Sequence, residues 1–575
     1  LLTNAFLEYD IIPGLTLRST IGLGLDFSKR NQYFSTILPD RVAKGQDGEA
    51  NIISRNSRDI LNENTITYVK EFNEHSLKVL AGYTSQITTF ESSRSGAYGF
   101  VNDVVTFNNL ALGSDPSQNA VSSNYEKRTF ESILGRINYS YNGKYLLTFV
   151  GRRDGSSVFE KGNKYAFFPS VGAAWRMGQE SFMQSVDYIS NLKLRVSYGV
   201  VGEQGVPAYN SLSRFTPYVN FLNNQVSNAV LLENLASSNL GWETTVQTDI
   251  GLEVGFLNNR YSFELDYYNK RTKDLLLNRP IPGTAGETRL ENVGEIENKG
   301  FEFTINSLNI DKPDFTWSTN LTISANKNKV ISIGDGQEWI NLTAPGQSTG
   351  PSIRIIPGYP APAYLGATYL GTYKTAAEID ADGIVGSVLG GPRYVDLDGN
   401  GAINQLDFIV HGDPNPDFYG GLRNTFTYKD FTLDFFFHGS YGNEILNAAY
   451  HLGYFGRDPR SNLLPIVKER WTTSNQSSDI PRAGSSFGNF QQRSDVSYQD
   501  GSFLRLKNVT LTYDLDIHGM KRASIYLTGN NLLLFTKFTH GDPEQSNYGD
   551  GLAQGVANGG YPYNLSFAFG FNLTL

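Results

Sequence analysis

"LSFAFGFNLTL" (565–575) places Leu565, Phe567, Phe569, Phe571, Leu573 and Leu575 on one face of an extended chain and Ser566, Ala568, Gly570, Asn572 and Thr574 on the other. Strand side chains alternate faces, whereas helical ones repeat every ~3.6 residues, so this spacing predicts a strand with one oily and one wet side. The pattern recurs upstream. In residues 15–27, Leu15, Leu17, Ile21, Leu23, Leu25 and Phe27 oppose Thr16, Arg18, Thr20 and Asp26. Ile133, Ile137, Tyr139 and Tyr141 alternate with Arg136, Asn138 and Ser140, and Tyr261, Phe263, Leu265 and Tyr267 with Ser262, Glu264 and Asp266. Such strands from end to end make the chain all-β and predict a transmembrane antiparallel β-barrel.

Composition points the same way. The 575 residues exceed one ordinary soluble core, and 33 Tyr, 36 Phe and 58 Gly accompany a mean hydropathy of only -0.32, which suits strands apolar on one side. No run approaches the ~18 to 20 apolar residues of a membrane helix, while a barrel strand needs only ~9 to 11 with alternate ones apolar. The net charge of -9, without a basic patch, argues against a nucleic-acid partner. Cysteine is absent, which removes disulfides, thiolate metal sites and cysteine nucleophiles together. His75, His411, His438, His451, His518 and His540 show no metal-ligand spacing, and no nucleophile elbow or zinc motif occurs, so an enzyme is not expected.

The connections alternate in length. Tight turns such as "YNGKY" (141–145), "FLNNRY" (256–261) and "YKDF" (428–431) are followed by long polar stretches near 29–62, 91–127, 201–241 and 441–499. Short periplasmic turns and long extracellular loops are the habit of membrane barrels. The turn "DIIPG" (10–14) is short, so the first strand runs toward the periplasm, as does the terminal strand after the 540–560 loop. Two strands of one direction bracket an odd number, whereas a single-chain bacterial barrel holds an even one, so at least one strand is expected before Leu1. Alternation picks out about 18 strands, and a further one is expected within 326–417, where Pro and Gly blur the pattern. "LLTNAFLEYD" (1–10) lacks the pattern of an export signal, which is expected upstream.

One segment carries ligand chemistry. "VDLDGNGAINQLDF" (395–408) matches D-x-[DN]-x-[DN]-G, with Asp396, Asp398 and Asn400 at alternate positions and Gly401 at the sharp turn. Ala402 falls where a backbone carbonyl ligates, Asn404 at the ninth position and Asp407 at the twelfth, and Ile403 can anchor the loop. Hard oxygens at this spacing suit Ca2+. Asp407 stands where a bidentate Glu is usual, and no long helices flank the loop, so a structural ion is expected and not a sensor. Elsewhere, Arg152, Arg153 and Asp154 read as a salt-bridged strand end. Trp175, Trp242, Trp317 and Trp471 read as an interfacial girdle, and Arg136, Glu264 and Asp266 as the wet inner wall.

Several phrases together resemble a known family. "GRINYSYNGKYLLTFVGRRDGSSVF" (135–159), "FFPSVGAAWR" (167–176), "LKLRVSYGVVGEQ" (192–204), "LGWETTVQTDIGLEVGF" (240–256), "ENVGEIENKGFEF" (291–303), "GDPNPDFYGG" (412–421), "DIPR" (479–482) and "GSFLRLKNVTLTY" (501–513) are similar, in this order, to SusC/RagA-like TonB-dependent transporters. The resemblance implies an outer-membrane barrel of Bacteroidota with about 22 strands, of which this chain would hold about 19. It also implies an N-terminal plug and a TonB-contacting segment, neither within residues 1–575. It further implies a SusD-like surface lipoprotein as a lid, oligosaccharide or peptide cargo, outer-membrane lipid around the wall, and pairing of barrel and lid into dimers. The final strand looks like an assembly signal, although Leu575 replaces the terminal aromatic frequent in the family. The competing readings are a passive porin-like channel and a calcium-stiffened surface adhesin without transport.

Overall fold

Seventeen strands form one antiparallel sheet in which chain neighbours pair. They are β1 (Leu2–Ile12), β2 (Leu15–Phe34), β3 (Gly48–Phe72), β4 (His75–Phe100), β5 (Ala120–Tyr141), β6 (Tyr145–Ser156), β7 (Tyr165–Trp175) and β8 (Ile189–Glu203). β9 (Glu243–Phe256), β10 (Tyr261–Pro280), β11 (Thr288–Lys312) and β12 (Phe315–Ser332) follow. The last five are β13 (Phe418–Tyr428), β14 (Phe431–Tyr441), β15 (Phe503–Leu515), β16 (Arg522–Thr536) and β17 (Ser566–Thr574). This computed structural model describes the chain except residues 45–46, 223–224, 238, 281–287, 343–352, 449, 451–461, 484–493, 518, 540, 546–553 and 575. His451, His518, His540 and Leu575 therefore lie outside the described residues.

Register turns the sequence alternation into faces. Leu433, Leu511, Leu527 and Phe569 pair across β14 to β17 in one row, and Thr432, Thr512, Tyr526 and Gly570 in the next. The first row is the oily face and the second the wet one, because partners in a ladder share a side. Phe567, Phe569 and Phe571 are 67%, 73% and 68% exposed, a surface that water would not tolerate and lipid would cover.

Connections on one side are mostly short and those on the other mostly long, with 176–188, between β7 and β8, the exception on the short side. Residues 13–14, 73–74, 142–144, 257–260, 313–314 and 429–430 are among the short ones; 35–47, 101–119, 204–242, 333–417, 442–502 and 537–565 are long. β1 and β17 both run toward the short side, and the strand number is odd, as parity requires.

Among the described residues the count is 17 and not about 19. The strand expected within 326–417 is not a membrane strand: β12 pairs directly with β13, from Phe315↔Tyr428 to Ser324↔Tyr419. That stretch instead contributes Ile340–Leu342, Ile353–Ile355, Ala363–Gly366 and Ile409–Gly412 to a separate four-stranded sheet. Pieces of three or four residues alternate like longer strands but are too short to span a bilayer.

Of the stretches expected as loops, 29–62 is mostly strand and 91–127 about half. β3 and β4 hold 25 and 26 residues, roughly 80 Å each and far beyond the ~9 to 11 residues that cross a membrane. The outward row of β4 passes from Leu77, Val79, Ala81 and Tyr83 to Glu91, Ser93 and Ser95. Alternation vanishes there because the outward row is no longer oily.

Contacts divide the chain into two units, one of residues 1–174, 197–246 and 274–292, the other of 175–196, 247–273 and 293–575. In the first, Val158, Phe159, Phe168, Val206 and Leu240 pack around Trp242. In the second, Ile353, Tyr364, Leu446 and Val556 join three long connections.

Of the four tryptophans expected in a girdle, two stay at strand ends: Trp175 closes β7 and Trp317 lies near the start of β12, with Nε1 donating to Glu180 at 3.0 Å and to Asn424 at 2.8 Å. Trp242 and Trp471, each 8% exposed, are instead buried among long-connection residues, where folded loops supply an apolar core that takes the indole.

Candidate functional site

The loop Asp396–Asp407 brings three of its six expected ligands together. Carboxylate oxygens of Asp396, Asp398 and Asp407 lie within 4.8 Å of one another. Positive φ at Gly399 (69°) and Gly401 (73°) lets the chain turn back on itself, a conformation that glycine adopts without strain. Backbone N–H groups of Gly399 and Gly401 donate to Asp396 at 2.8 and 2.9 Å. The Gly401 N–H above all holds the Asp396 carboxyl below its usual value. Asp407 is 1% exposed and accepts from the N–H of Leu397 (2.8 Å) and of Asn404 (2.7 Å).

The other three expected ligands are engaged within the loop. Asn400 accepts from Ala402 N–H at 2.8 Å and donates to Asp398 at 2.7 Å; the Ala402 carbonyl accepts from the Asn404 amide at 3.1 Å. Ile403, 5% exposed, anchors the loop beside Ala367 and Tyr394. From outside, buried Arg354 donates to Gln405 at 3.1 Å and to Asn341 at 3.0 Å, and stacks 4.6 Å over Trp339. The donor set is entirely hard oxygen, and three mutually repelling carboxylates, one buried, suit a divalent cation.

Elsewhere in the same unit, Glu444 begins the short strand Glu444–Asn447, which pairs with Tyr498–Asp500 and Val556–Ala557. Burial, reinforced by Asp413 and Asp500, pushes its carboxyl up to about 7.

The inner wall carries charge where alternation placed it. Arg195 pairs with Glu253 at 2.7 Å, Asp266 at 3.1 Å and also Glu264, and Lys193 with Glu253 at 3.0 Å. Arg136 lies opposite the outward Ile137. Arg152 binds Asp154 at 2.5 Å, within β6. Sequence reasoning missed a second network: Arg505, 2% exposed, binds Asp542 and Glu544 at 2.5 Å each, and Glu544 also meets His438 at 2.8 Å. The inward parity of Arg505 in "GSFLRLKN" (501–508) was its only signal.

Comparison with known proteins places this architecture. TonB-dependent receptor P26 of Formosa agariphila is 39% identical over 100% of this chain and 59% of its own length. The TonB-dependent receptor SusC of Bacteroides thetaiotaomicron is 29% identical over 78% of this chain and 44% of its own. The chain thus spans well under two thirds of the curated relatives it matches. A solved structure of the RagAB peptide transporter shares the fold at a TM-score of 0.84 and 23% identity, over 100% of this chain and 61% of that one. The model of the TonB dependent receptor-like beta-barrel matches residues 3–442. A one-sided oily sheet and these matches agree that the chain belongs to the TonB dependent receptor-like beta-barrel family of the outer membrane.

Proposed function

We propose that this chain supplies the wall and the extracellular loops of an importer that takes up oligosaccharide or peptide nutrients with energy delivered through TonB. A SusD-like surface lipoprotein closes over the mouth and hands cargo to it. The observation that carries this reading is the family match over residues 3–442, on a sheet whose longest connections, 204–242, 333–417, 442–502 and 537–565, all leave from one side. Among the described residues, Ile353, Tyr364, Leu446 and Val556 bring three of those connections into one core, which would give a lid a firm surface to rest on. The family is one of transporters and receptors, and we read this chain as a transporter without catalysis.

Within this reading the loop 396–407 holds one structural Ca2+. Asp396, Asp398 and Asp407 would supply carboxylates, Asn400 its side chain, Ala402 its carbonyl, and Asn404 a contact through water. The ion would neutralise the three carboxylates and stiffen the long connection that carries them.

Import is tested in cells that carry the native protein, with uptake of labelled oligosaccharide and peptide mixtures as the readout. Uptake of at least one class should disappear when this protein or TonB is removed. Uptake that depends on this protein but persists without TonB would make it a passive channel and overturn the proposal.

A further inference from the structure

The oily face is not filled everywhere. β13 and β14 hold 11 residues each, just enough to cross a membrane, and the short connection 429–430 joins their lower ends. Their upper ends, Phe418 and Tyr441, pair in the outward row with rings stacked at 5.2 Å, and so mark the surface of the outer leaflet. The next outward pair below them is Gly420 and Gly439, flanked by Ile323 on β12 and Leu504 on β15. A Cβ at Gly420 would lie 2.3 Å from the Thr322 carbonyl oxygen and one at Gly439 2.5 Å from that of Phe503, so neither position admits a side chain. The result is a hollow of about 820 Å³ in the oily face, with Leu422, Phe437 and Phe535 completing its apolar walls. The rim above it is charged. Lys537, directly after β16, and Asp500, shortly before β15, both line the opening. Neither forms an ion pair among the described residues, with the other or with a third group; Asp500 accepts only the Ser502 N–H, at 2.9 Å.

We infer that this hollow is the seat of one phosphatidylethanolamine of the outer leaflet, with an acyl chain against the Gly420–Gly439 floor, the phosphate on Lys537 and the ammonium on Asp500. Bulk lipid needs no such seat, since its chains spread over the filled surface that Phe567, Phe569 and Phe571 present elsewhere on the same face. Here the apolar depth lies below the leaflet surface and the two charges lie at it, which is the order of parts in a lipid. One cation and one anion, unpaired with each other, complement a head that carries both signs. Asp500 already acts on the acid Glu444, so a cation beside Asp500 relieves repulsion within the rim. Head groups differ in how they meet this rim. The ethanolamine ammonium donates N–H to a carboxylate, the choline ammonium has no N–H to donate, and glycerol carries no positive charge.

The test uses the full-length protein, extracted from outer membranes in mild detergent and followed by native mass spectrometry. Phosphatidylethanolamine, phosphatidylglycerol and phosphatidylcholine with identical chains are titrated in turn. One phosphatidylethanolamine should bind about fivefold or more tightly than either of the others, and Lys537→Ala should weaken it about fivefold. Asp500→Asn should erase the preference for ethanolamine over choline, and Leu504→Trp, which fills the hollow, should remove the tight lipid altogether. Lys537 and Leu504 are both exposed, so these two changes leave the fold intact. Equal binding of the three lipids, a hollow that holds detergent alone, or phosphatidylethanolamine binding unchanged in Lys537→Ala and Leu504→Trp would overturn the inference. So would a dimer that Leu504→Trp splits while lipid binding persists, since the hollow would then be a contact between two copies of the chain.

Discussion

At the scale of single residues, what the sequence revealed was whatever chemistry is local. Asp396, Asp398 and Asp407 converge because their spacing and two glycines suffice to bend one short segment. Arg505 and Asp542 were invisible as a pair because 37 residues separate them and only the topology brings them together. Glu444 belongs to the same hidden class. Its carboxyl is raised to about 7 by burial and by Asp413 and Asp500, from different segments. The folded state therefore keeps a proton that the unfolded chain releases between the carboxylate's ordinary value of 4.5 and about 7. Stability linked to this group is full below that window and is lost as pH rises through it. Hydrogen exchange of Glu444–Asn447, corrected for intrinsic rates, should show protection falling from pH 6 to pH 8 in the native protein and staying level in Glu444→Gln. A fall of equal size in both would show that another group is responsible.

Elements were legible in proportion to how different their two faces are. β17 and the lower half of β5 alternate sharply and were placed from sequence, whereas the upper halves of β3, β4 and β5 lose the oily outward row and read as loops, though Ala50, Ala97 and Phe100 at their tips pack into a small core. The short strands within 333–417 failed in the opposite direction, since they alternate but are buried in a separate small sheet. The same logic gives a paired test of facing. Val509 stands in the oily row with Phe435, and Thr510, one residue on, in the wet row with Asp434. Val509→Lys should destabilise the barrel by about 2 to 4 kcal/mol if it lies near the bilayer midplane. Thr510→Lys gains a nearby carboxylate and should cost less than about 1 kcal/mol. Urea titration of the protein folded into lipid vesicles checks both; equal costs would mean that the two faces are not lipid and lumen.

The whole molecule joins two kinds of stability. The sheet is held by ladders from β1 to β17 under a lipid-facing skin, while the loop 396–407 hangs on buried Ile403, on Arg354, on the Val385 N–H that donates to the Gly401 carbonyl at 2.9 Å, and on three carboxylates that repel one another. If one Ca2+ neutralises them, removing it should loosen the connection 333–417 and leave the sheet untouched, because no ladder of the sheet passes through residues 396–407. Chelation of the detergent-extracted protein should therefore speed proteolytic cleavage within 333–417 several-fold, with added Ca2+ restoring protection. The resistance of the barrel to unfolding in SDS should not change. Asp396→Ala combined with Asp398→Ala should behave like the chelated protein with Ca2+ present, and should bind the lipoprotein less tightly. Unchanged cleavage and metal content in that variant would show that the loop closes through its backbone N–H bonds alone, and a barrel that melts on chelation would place the ion in the sheet and not in the loop.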